Sequence, residues 1–229
     1  MDIGAKNAML HIWQSRAEAK ERKKAAGKTD IGKRGEATSG AHLDEVAKLI
    51  AQVFIDAKIP PECVHVGRSK MEVPGYYRAT KQWDVLVVKD GKLIAAVELK
   101  MIDSSYGNNL NNRTEEALGN AYDLAQAVKN SLCGDTAPWL GWVFVMNDEP
   151  KSRSAVKVNE PHFRIDPIFK NASYQERARI LCRRLELERV YNKAWFVTGN
   201  KDGVNEPDPE MSWAKFKAAI EGKVGEVLA

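Results

Sequence analysis

The sequence predicts an α/β fold with a central mixed sheet of about four to five strands flanked by helices. Three observations carry this. Residues 85–88, 93–97 and 143–146 are aliphatic or aromatic on both side-chain parities, which suits strands covered on both faces rather than on one. The first two runs are separated by Lys89-Asp90-Gly91-Lys92, a hairpin signal because Asp-Gly supplies the positive φ of a short turn. Between the remaining strand candidates lie stretches of helical period, so helical crossovers are expected there.

Residues 5–26 are rich in helix formers, with Met9, Leu10, Ile12 and Trp13 as a short apolar face before a basic end. The segment 27–40 breaks that period with four glycines and reads as a flexible loop whose Lys28, Lys33 and Arg34 are available to a polyanion. Residues 1–40 thus form a basic helix-and-loop arm, and residues 41–229 a single domain. Residues 41–58 are an amphipathic helix with Leu43, Val46, Ala47, Ile50, Val53 and Phe54 on one stripe, ended by Ile59-Pro60-Pro61. Asp44 and Glu45 stand near its start, where acids offset the helix dipole; Glu45 is a candidate for reaching a metal from there.

Residues 63–66 form a short edge strand. The following stretch, 73–84, holds a Pro-Gly turn and then Tyr76, Tyr77, Arg78 and Lys81; the two cations suit phosphate contacts and the tyrosines suit packing. After Lys100, Asn108, Asn109, Asn111 and Asn112 surround Leu110 and precede Arg113. In a loop, Asn can pair with adenine and Arg with guanine in a major groove; a turn-rich loop with Asn mimicking backbone explains the same composition. Thr114, Glu115 and Glu116 read as the opening of a helix that buries Ala117, Leu118, Ala121, Leu124, Ala125 and Val128.

Residues 138–148 are the third core strand. The loop expected beyond it presents Lys151, Ser152, Arg153, Ser154 and Lys157, with Arg164 further on, a donor-rich set suited to phosphate or base contacts. His162, between Pro161 and Phe163, reads as a packed structural residue rather than a general base. Ser173 caps a helix over 173–190 with Tyr174, Ala178, Leu181, Cys182, Leu185 and Leu187 as buried candidates. Residues 194–198 form a fourth strand, 199–212 a polar loop, and 213–228 a terminal helix with Trp213, Phe216, Ile220 and Val224 inward.

Three charged residues, Asp84, Glu98 and Lys100, stand within or beside the apolar strand runs. Glu98 and Lys100 share a face, and a common site needs Asp84 on that face too. A two-residue Asp90-Gly91 turn without another bulge would pair residue 84 with 97 and turn Asp84 away. A three-residue loop with a bulge at Gly91 pairs 84 with 96 and gathers all three charges; this bulged form is the expectation. Such charges are costly at an apolar sheet unless they meet a metal and a polar substrate. Two carboxylates about a hard cation such as Mg²⁺, with a lysine to position or deprotonate water, suit hydrolysis of a phosphodiester. From spacing alone, an exposed strand end with an ordinary Glu/Lys pair accounts for the same residues.

The net charge of +4 is unevenly placed, with nine Lys/Arg against four Asp/Glu in residues 1–34. That asymmetry suits a nucleic-acid partner, as a solvated helix face also would. Cys63, Cys133 and Cys182 share no CxxC spacing, so neither a zinc site nor a disulfide framework is signalled. No apolar run approaches the ~20 residues of a membrane span and no signal core opens the chain, so the cytoplasm is the expected compartment.

The segments PGYYRATKQWD, VVKDGKLIAAVELK, GNNLNNRTEEALGNA, PWLGW, PKSRSAV, EPHF and ARILCRRLELERVYNKA, in this order over roughly residues 74–194, resemble the XhoI-type type II restriction endonucleases of the PD-(D/E)xK nuclease superfamily. The resemblance implies a PD-(D/E)xK restriction-endonuclease-like core over residues 41–229. It further implies an Mg²⁺-dependent homodimer that recognises the palindrome CTCGAG in double-stranded DNA and cuts after the first C, leaving four-base 5′ overhangs. A cognate methyltransferase would act on the same site without necessary contact. Asp84 and Glu98 match the metal-ligating carboxylates of the superfamily pattern, the Leu99 carbonyl a further ligand, and Lys100 the water-activating lysine. Trp83 stands where many members have Pro, a position without chemistry. A DNA repair or structure-selective nuclease on the same scaffold is the alternative enzyme, and a DNA-binding regulator with an inert centre is the alternative from another class.

Overall fold

A computed structural model describes residues 1–25, 39–67 and 69–229. The stretch holding Lys28, Lys33 and Arg34 lies outside them. Six strands form one mixed sheet in the order β1-β4-β5-β6-β7-β8. Its strands are β1 (Val64–Val66), β4 (Val85–Lys89), β5 (Lys92–Ile102), β6 (Trp139–Asn147), β7 (Lys193–Asn200) and β8 (Gly203–Asn205). The inner trio β5, β6 and β7 run parallel, and both edges are closed by antiparallel pairs. A separate hairpin pairs β2 (Glu72–Pro74) with β3 (Thr80–Gln82).

The sheet has six strands rather than four or five because the chain folds back after β7 into β8. This three-residue return within the expected polar loop carries no hydrophobic period. The Asn200 side chain creates it by accepting the Asp202 and Gly203 N–H groups at 2.9 and 3.2 Å.

The double-sided apolar pattern has its counterpart in two separate cores. Val85, Val87, Ala95, Val97 and Leu99 face one layer with Val143, Val145, Trp195 and Val197. They pack with helices α1 (Ile3–Ala25), α2 (Ser39–Asp56) and α6 (Trp213–Leu228). Leu86, Ala96, Ile102, Trp142, Phe144 and Phe196 face the other, against α3 (Tyr106–Lys129) and α5 (Tyr174–Leu187). Ala5, Met9, Ile12 and Trp13 of α1 are buried in the first core, so the apolar half of that helix is part of the domain's packing. Among the described residues, no helix is long and apolar enough to cross a membrane.

Several local expectations are corrected. The Asn-rich segment is helix, not loop: α3 starts at Tyr106, because Tyr106 and Leu110 are spaced one turn apart and both are buried, which extends the apolar face past the asparagines. Thr114 is therefore no cap, and its hydroxyl donates back to the Leu110 carbonyl at 2.9 Å. On the same helix Leu118 and Ala125 point outward, while Asn120, Asp123 and Ala127 are buried. In α5, which the Ser173–Glu176 capping box opens, Leu187 is exposed and Ile180 takes the buried position. The expected loop after β6 opens with a short helix, α4 (Pro150–Arg153). His162 is exposed rather than packed, as is Phe163.

Candidate active site

The hairpin that carries the charges is built differently from the expectation, with the same outcome. Lys89 pairs with Lys92, so the turn is the two-residue Asp90-Gly91 form, and both turn residues have positive φ (51° and 74°). A bulge then restores the parity: Val87 pairs with Ala95 but Val88 with Leu93, leaving Ile94 as the extra residue. Beyond the bulge Val85 pairs with Val97, and the next step places Asp84 across from Glu98. A two-residue turn alone would have put them on opposite faces.

Unequal strand lengths open the site. β4 begins at Val85 while β5 runs on to Ile102, because the chain before Asp84 leaves the sheet, with the Trp83 N–H bonded to the Met71 carbonyl at 3.0 Å. Across this overhang the Leu99 N–H has no ladder partner and donates to Asp84 Oδ2 at 2.6 Å. Within a strand, the N–H and C=O of one residue point to the same side, so the Leu99 carbonyl also faces the gap.

Glu98 is only 2% exposed and carries an ammonium on each oxygen: Lys81 donates to Oε2 at 2.8 Å and Lys100 donates to Oε1. Lys81 also donates to the Gln82 carbonyl and lies 4.9 Å from the Trp83 ring centre. Asp84 is held differently. Burial, and next the Glu98 charge, raise its carboxyl to about 6; the Leu99 N–H, Lys100 and Lys81 oppose this without overcoming it. Its Oδ1 takes no donor among the described residues. Hard oxygen donors, a carboxylate short of partners and an outward-facing carbonyl fit a small divalent cation, which keeps several waters and needs few protein ligands.

A cleft of about 140 Å³ adjoins this gap, lined by Leu43, Asp44, Ala47 and Lys48 of α2 together with Val66, Gly67, Asp84 and Leu99. Glu45 does not line it: it is exposed and paired with Lys48 at 2.7 Å, and that bond and charge hold it below the usual carboxylate range. One helical position is about 100° of rotation, so the acid facing the cleft is Asp44. A larger cavity of about 670 Å³ lies between α3 and α5 and contains none of Asp84, Glu98 and Lys100.

Lys81, expected on phosphate, sits in this cluster on Glu98. Arg78 is committed elsewhere. Its Nε donates to Asp123 at 2.7 Å and its terminal nitrogen to Asn120 at 2.8 Å; Asp123 also accepts from the Tyr76 and Tyr77 N–H groups. This latch presents Tyr76 and Tyr77 to solvent, with Tyr77 stacked on Tyr122, so they are not packing residues. Ser152 is fully buried, bonded to Glu149 and Gln175, and is a capping residue rather than a DNA contact. Ser154 bonds to the Pro150 carbonyl, Arg153 lies 3.6 Å from Asp148, and Lys151, Lys157 and Arg164 are exposed. Asn108, Asn111 and Asn112 are exposed on the first turns of α3, and Asn109 donates to the Ser104 carbonyl.

Two further acids matter here: Asp123, which the sequence does not single out, and Glu116, which it assigns only to a helix start. Asp123 holds the loop before β3. Glu116 lies 3.8 Å from Lys100 and accepts two bonds from Arg113, at 2.7 and 2.6 Å. The signal for Glu116 was its place on the buried-face helix directly after β5, legible only once that helix is known to start at Tyr106.

The family model described as restriction endonuclease XhoI matches residues 22–210. The chain belongs to the XhoI restriction endonuclease family. It is 44% identical over 192 residues to the type II restriction enzyme BstVI of Geobacillus stearothermophilus, covering 79% of this chain and 83% of that one. It is 40% identical over 187 residues to the type II restriction enzyme XhoI of Xanthomonas vasicola, covering 80% and 75%. With AbrI of Azospirillum brasilense, also a type II restriction enzyme, the identity is 35% over 162 residues, covering 70% and 72%. No solved structure matches. As a member of the XhoI restriction endonuclease family the protein is a site-specific deoxyribonuclease acting on double-stranded DNA, of a class that generally uses divalent metal ions.

Proposed function

We propose that this restriction endonuclease cuts the palindrome CTCGAG after its first C, leaving four-base 5′ overhangs, as an Mg²⁺-dependent homodimer. The observation that carries the site is the register of β4 on β5, which sets Asp84 against Glu98 and Lys100 beside a stretch of β5 that β4 leaves uncovered on one edge. Asp84, Glu98 and the Leu99 carbonyl would hold the ion. Bound there, Mg²⁺ polarises the scissile phosphate and acidifies coordinated water.

The chain's own groups do the rest. Lys100 Nζ hydrogen-bonds the attacking water and orients it, while Lys81 offsets the charge that the phosphate brings to a nearly dry pocket. The two-fold symmetry of a dimer matches a palindrome, each protomer reading half the site and cutting one strand. A CTCGAG half-site offers guanine to Arg or Lys and adenine to Asn. Arg113, Asn108, Asn109, Asn111 and Asn112 from the start of α3, with Lys151, Arg153, Ser154, Lys157 and Arg164 beyond β6, supply base and phosphate contacts. The basic N-terminal segment adds salt-sensitive affinity. A methyltransferase acting on the same sequence is the expected companion.

The test is a plasmid carrying one CTCGAG site, incubated with Mg²⁺ or with EDTA, its ends mapped by sequencing. Linear product with 5′-TCGA overhangs is expected with Mg²⁺ alone, and Glu98→Ala is expected to bind without cutting. Cleavage elsewhere would overturn the recognition sequence; no cleavage with Mg²⁺ would overturn the metal assignment.

A further inference from the structure

The two lysines on Glu98 are not equivalent. Lys81 has a second anchor in the Gln82 carbonyl and a third contact with the Trp83 ring. Among the described residues Lys100 has, besides Glu98, only Glu116 Oε2 at 3.8 Å, beyond hydrogen-bond reach yet within ion-pair range. A divalent cation on either Glu98 oxygen would lie beside the ammonium bonded there and repel it, and the less tethered ammonium is Lys100. A lysine released beside a divalent cation is repelled by it and needs another anion to stay near the reacting phosphate. Glu116 is the anion in place.

We propose that Glu116 is a positioning residue: it takes over Lys100 when Glu98 turns to the metal, and DNA capture of Arg113 frees it to do so. This rests on Asp84, Glu98 and Lys100 being the catalytic centre. Both oxygens of Glu116 are occupied by one nitrogen of Arg113, at 2.7 and 2.6 Å, and Arg113 Nε is buried without a partner among the described residues. Arg113 is therefore incompletely satisfied where it is, and stands on the helix whose first turns expose the asparagines. A guanine edge or a phosphate offers it a two-pronged acceptor. Once it moves, closing Glu116 onto Lys100 requires a shift of about 1 Å to reach a charge-assisted bond. Lys81–Glu98–Lys100–Glu116–Arg113 is thus a row of alternating charges with its outer end at the DNA-reading helix and its inner end at the metal site. Binding the right sequence at one end releases a metal ligand at the other.

The proposal is tested with Glu116→Gln, which keeps the shape and removes the charge, alone and combined with Arg113→Gln and Lys100→Gln. Single-turnover cleavage is measured with enzyme saturating a duplex that the wild type cuts. Metal binding is measured separately by titrating Ca²⁺ calorimetrically into the protein–duplex complex, with the duplex checked for intactness afterwards. Glu116→Gln is expected to lower the cleavage rate about 10- to 100-fold and to weaken Ca²⁺ binding about 10-fold, with metal-free DNA affinity within twofold of wild type. The same loss should appear in the Arg113→Gln background. The Ca²⁺ loss should vanish in the Lys100→Gln background, where no ammonium needs moving.

A wild-type rate in Glu116→Gln would overturn the proposal. So would a loss that disappears in the Arg113→Gln background, which would make Glu116 an anchor for Arg113 only. Lys100→Gln and Glu98→Gln serve as controls: if either cuts at the wild-type rate, the catalytic centre itself is misassigned, whereas abolished cleavage in both with an unaffected Glu116→Gln removes this inference alone.

Discussion

Asp84 and Asp123 are both carboxylates drawn into the protein, and their surroundings push them in opposite directions. Asp84 receives one N–H and faces Glu98, and burial raises it to about 6. Burial pushes Asp123 up as well, but the Tyr77 N–H, the Arg78 side chain and the Tyr76 N–H outweigh it and hold the group below the usual carboxylate range. The contrast separates a candidate metal ligand from a structural acid. Asp123 is saturated by protein donors and fixes the loop before β3, while Asp84 is left wanting positive charge that no side chain fully supplies.

The sharpest way to break this comparison is through cleavage. Glu98→Gln and Lys100→Gln should each lower the single-turnover rate by roughly 10³-fold, together by little more, with DNA binding retained. Additive losses, or an unaffected rate, would show that these side chains do not act as one unit. Next in size, Asp123→Ala strips the partner from two backbone N–H groups and from Arg78, and should cost about 2–3 kcal/mol of stability in urea unfolding. It should also slow cleavage, since Lys81 follows that loop.

Asp84→Asn should do the reverse. Because the folded carboxyl sits near 6, above its unfolded value, the metal-free protein holds a proton between roughly pH 4 and pH 6 that the unfolded chain has released. Its stability falls as pH rises through that window, by about 1–3 kcal/mol, and Asp84→Asn should recover that amount at neutral pH while abolishing cleavage. Asp123 has the opposite sign: its contribution is present above the ordinary carboxylate range and is lost as pH falls through its lower folded value. Urea unfolding in EDTA at several pH values reads both, and an Asp84→Asn protein less stable than wild type at pH 7.5 would sink the contrast. The smallest effect concerns the outer cations: Lys151→Ala, Lys157→Ala or Arg164→Ala should each reduce the salt slope of DNA binding by about one if the side chain meets a phosphate.

Much of this architecture was legible because burial on two faces leaves its mark on every residue of a strand. Runs such as 85–88 and 143–146, apolar at consecutive positions, fixed the central strands, and Ser173 marked a helix start that a capping box with Glu176 realises. Local chemistry misled where a tertiary neighbour outweighed it. Asparagines at 108–112 favour turns in isolation, yet Tyr106 and Leu110 gain more by burial and draw them into a helix. Glu45 and Asp44 look alike in the sequence, and only the rotation of α2 against the sheet decides which faces the cleft.

The sequence by itself determined the layered α/β fold and put Glu98 and Lys100 on a strand with Asp84 at the start of its neighbour, because side-chain alternation and apolar periodicity are properties of the chain alone. Only the tertiary structure decided that these charges meet. The tight Asp90-Gly91 turn would have separated them, and a bulge at Ile94, which no local pattern announces, turns the strand by one residue and reunites them. It also decided that Lys81 and Glu116 join them, since contacts across 17 and 16 positions are set by how the hairpin and helix pack against β5. Periodicity tells each residue which face it occupies; the company it keeps there is fixed by register and packing.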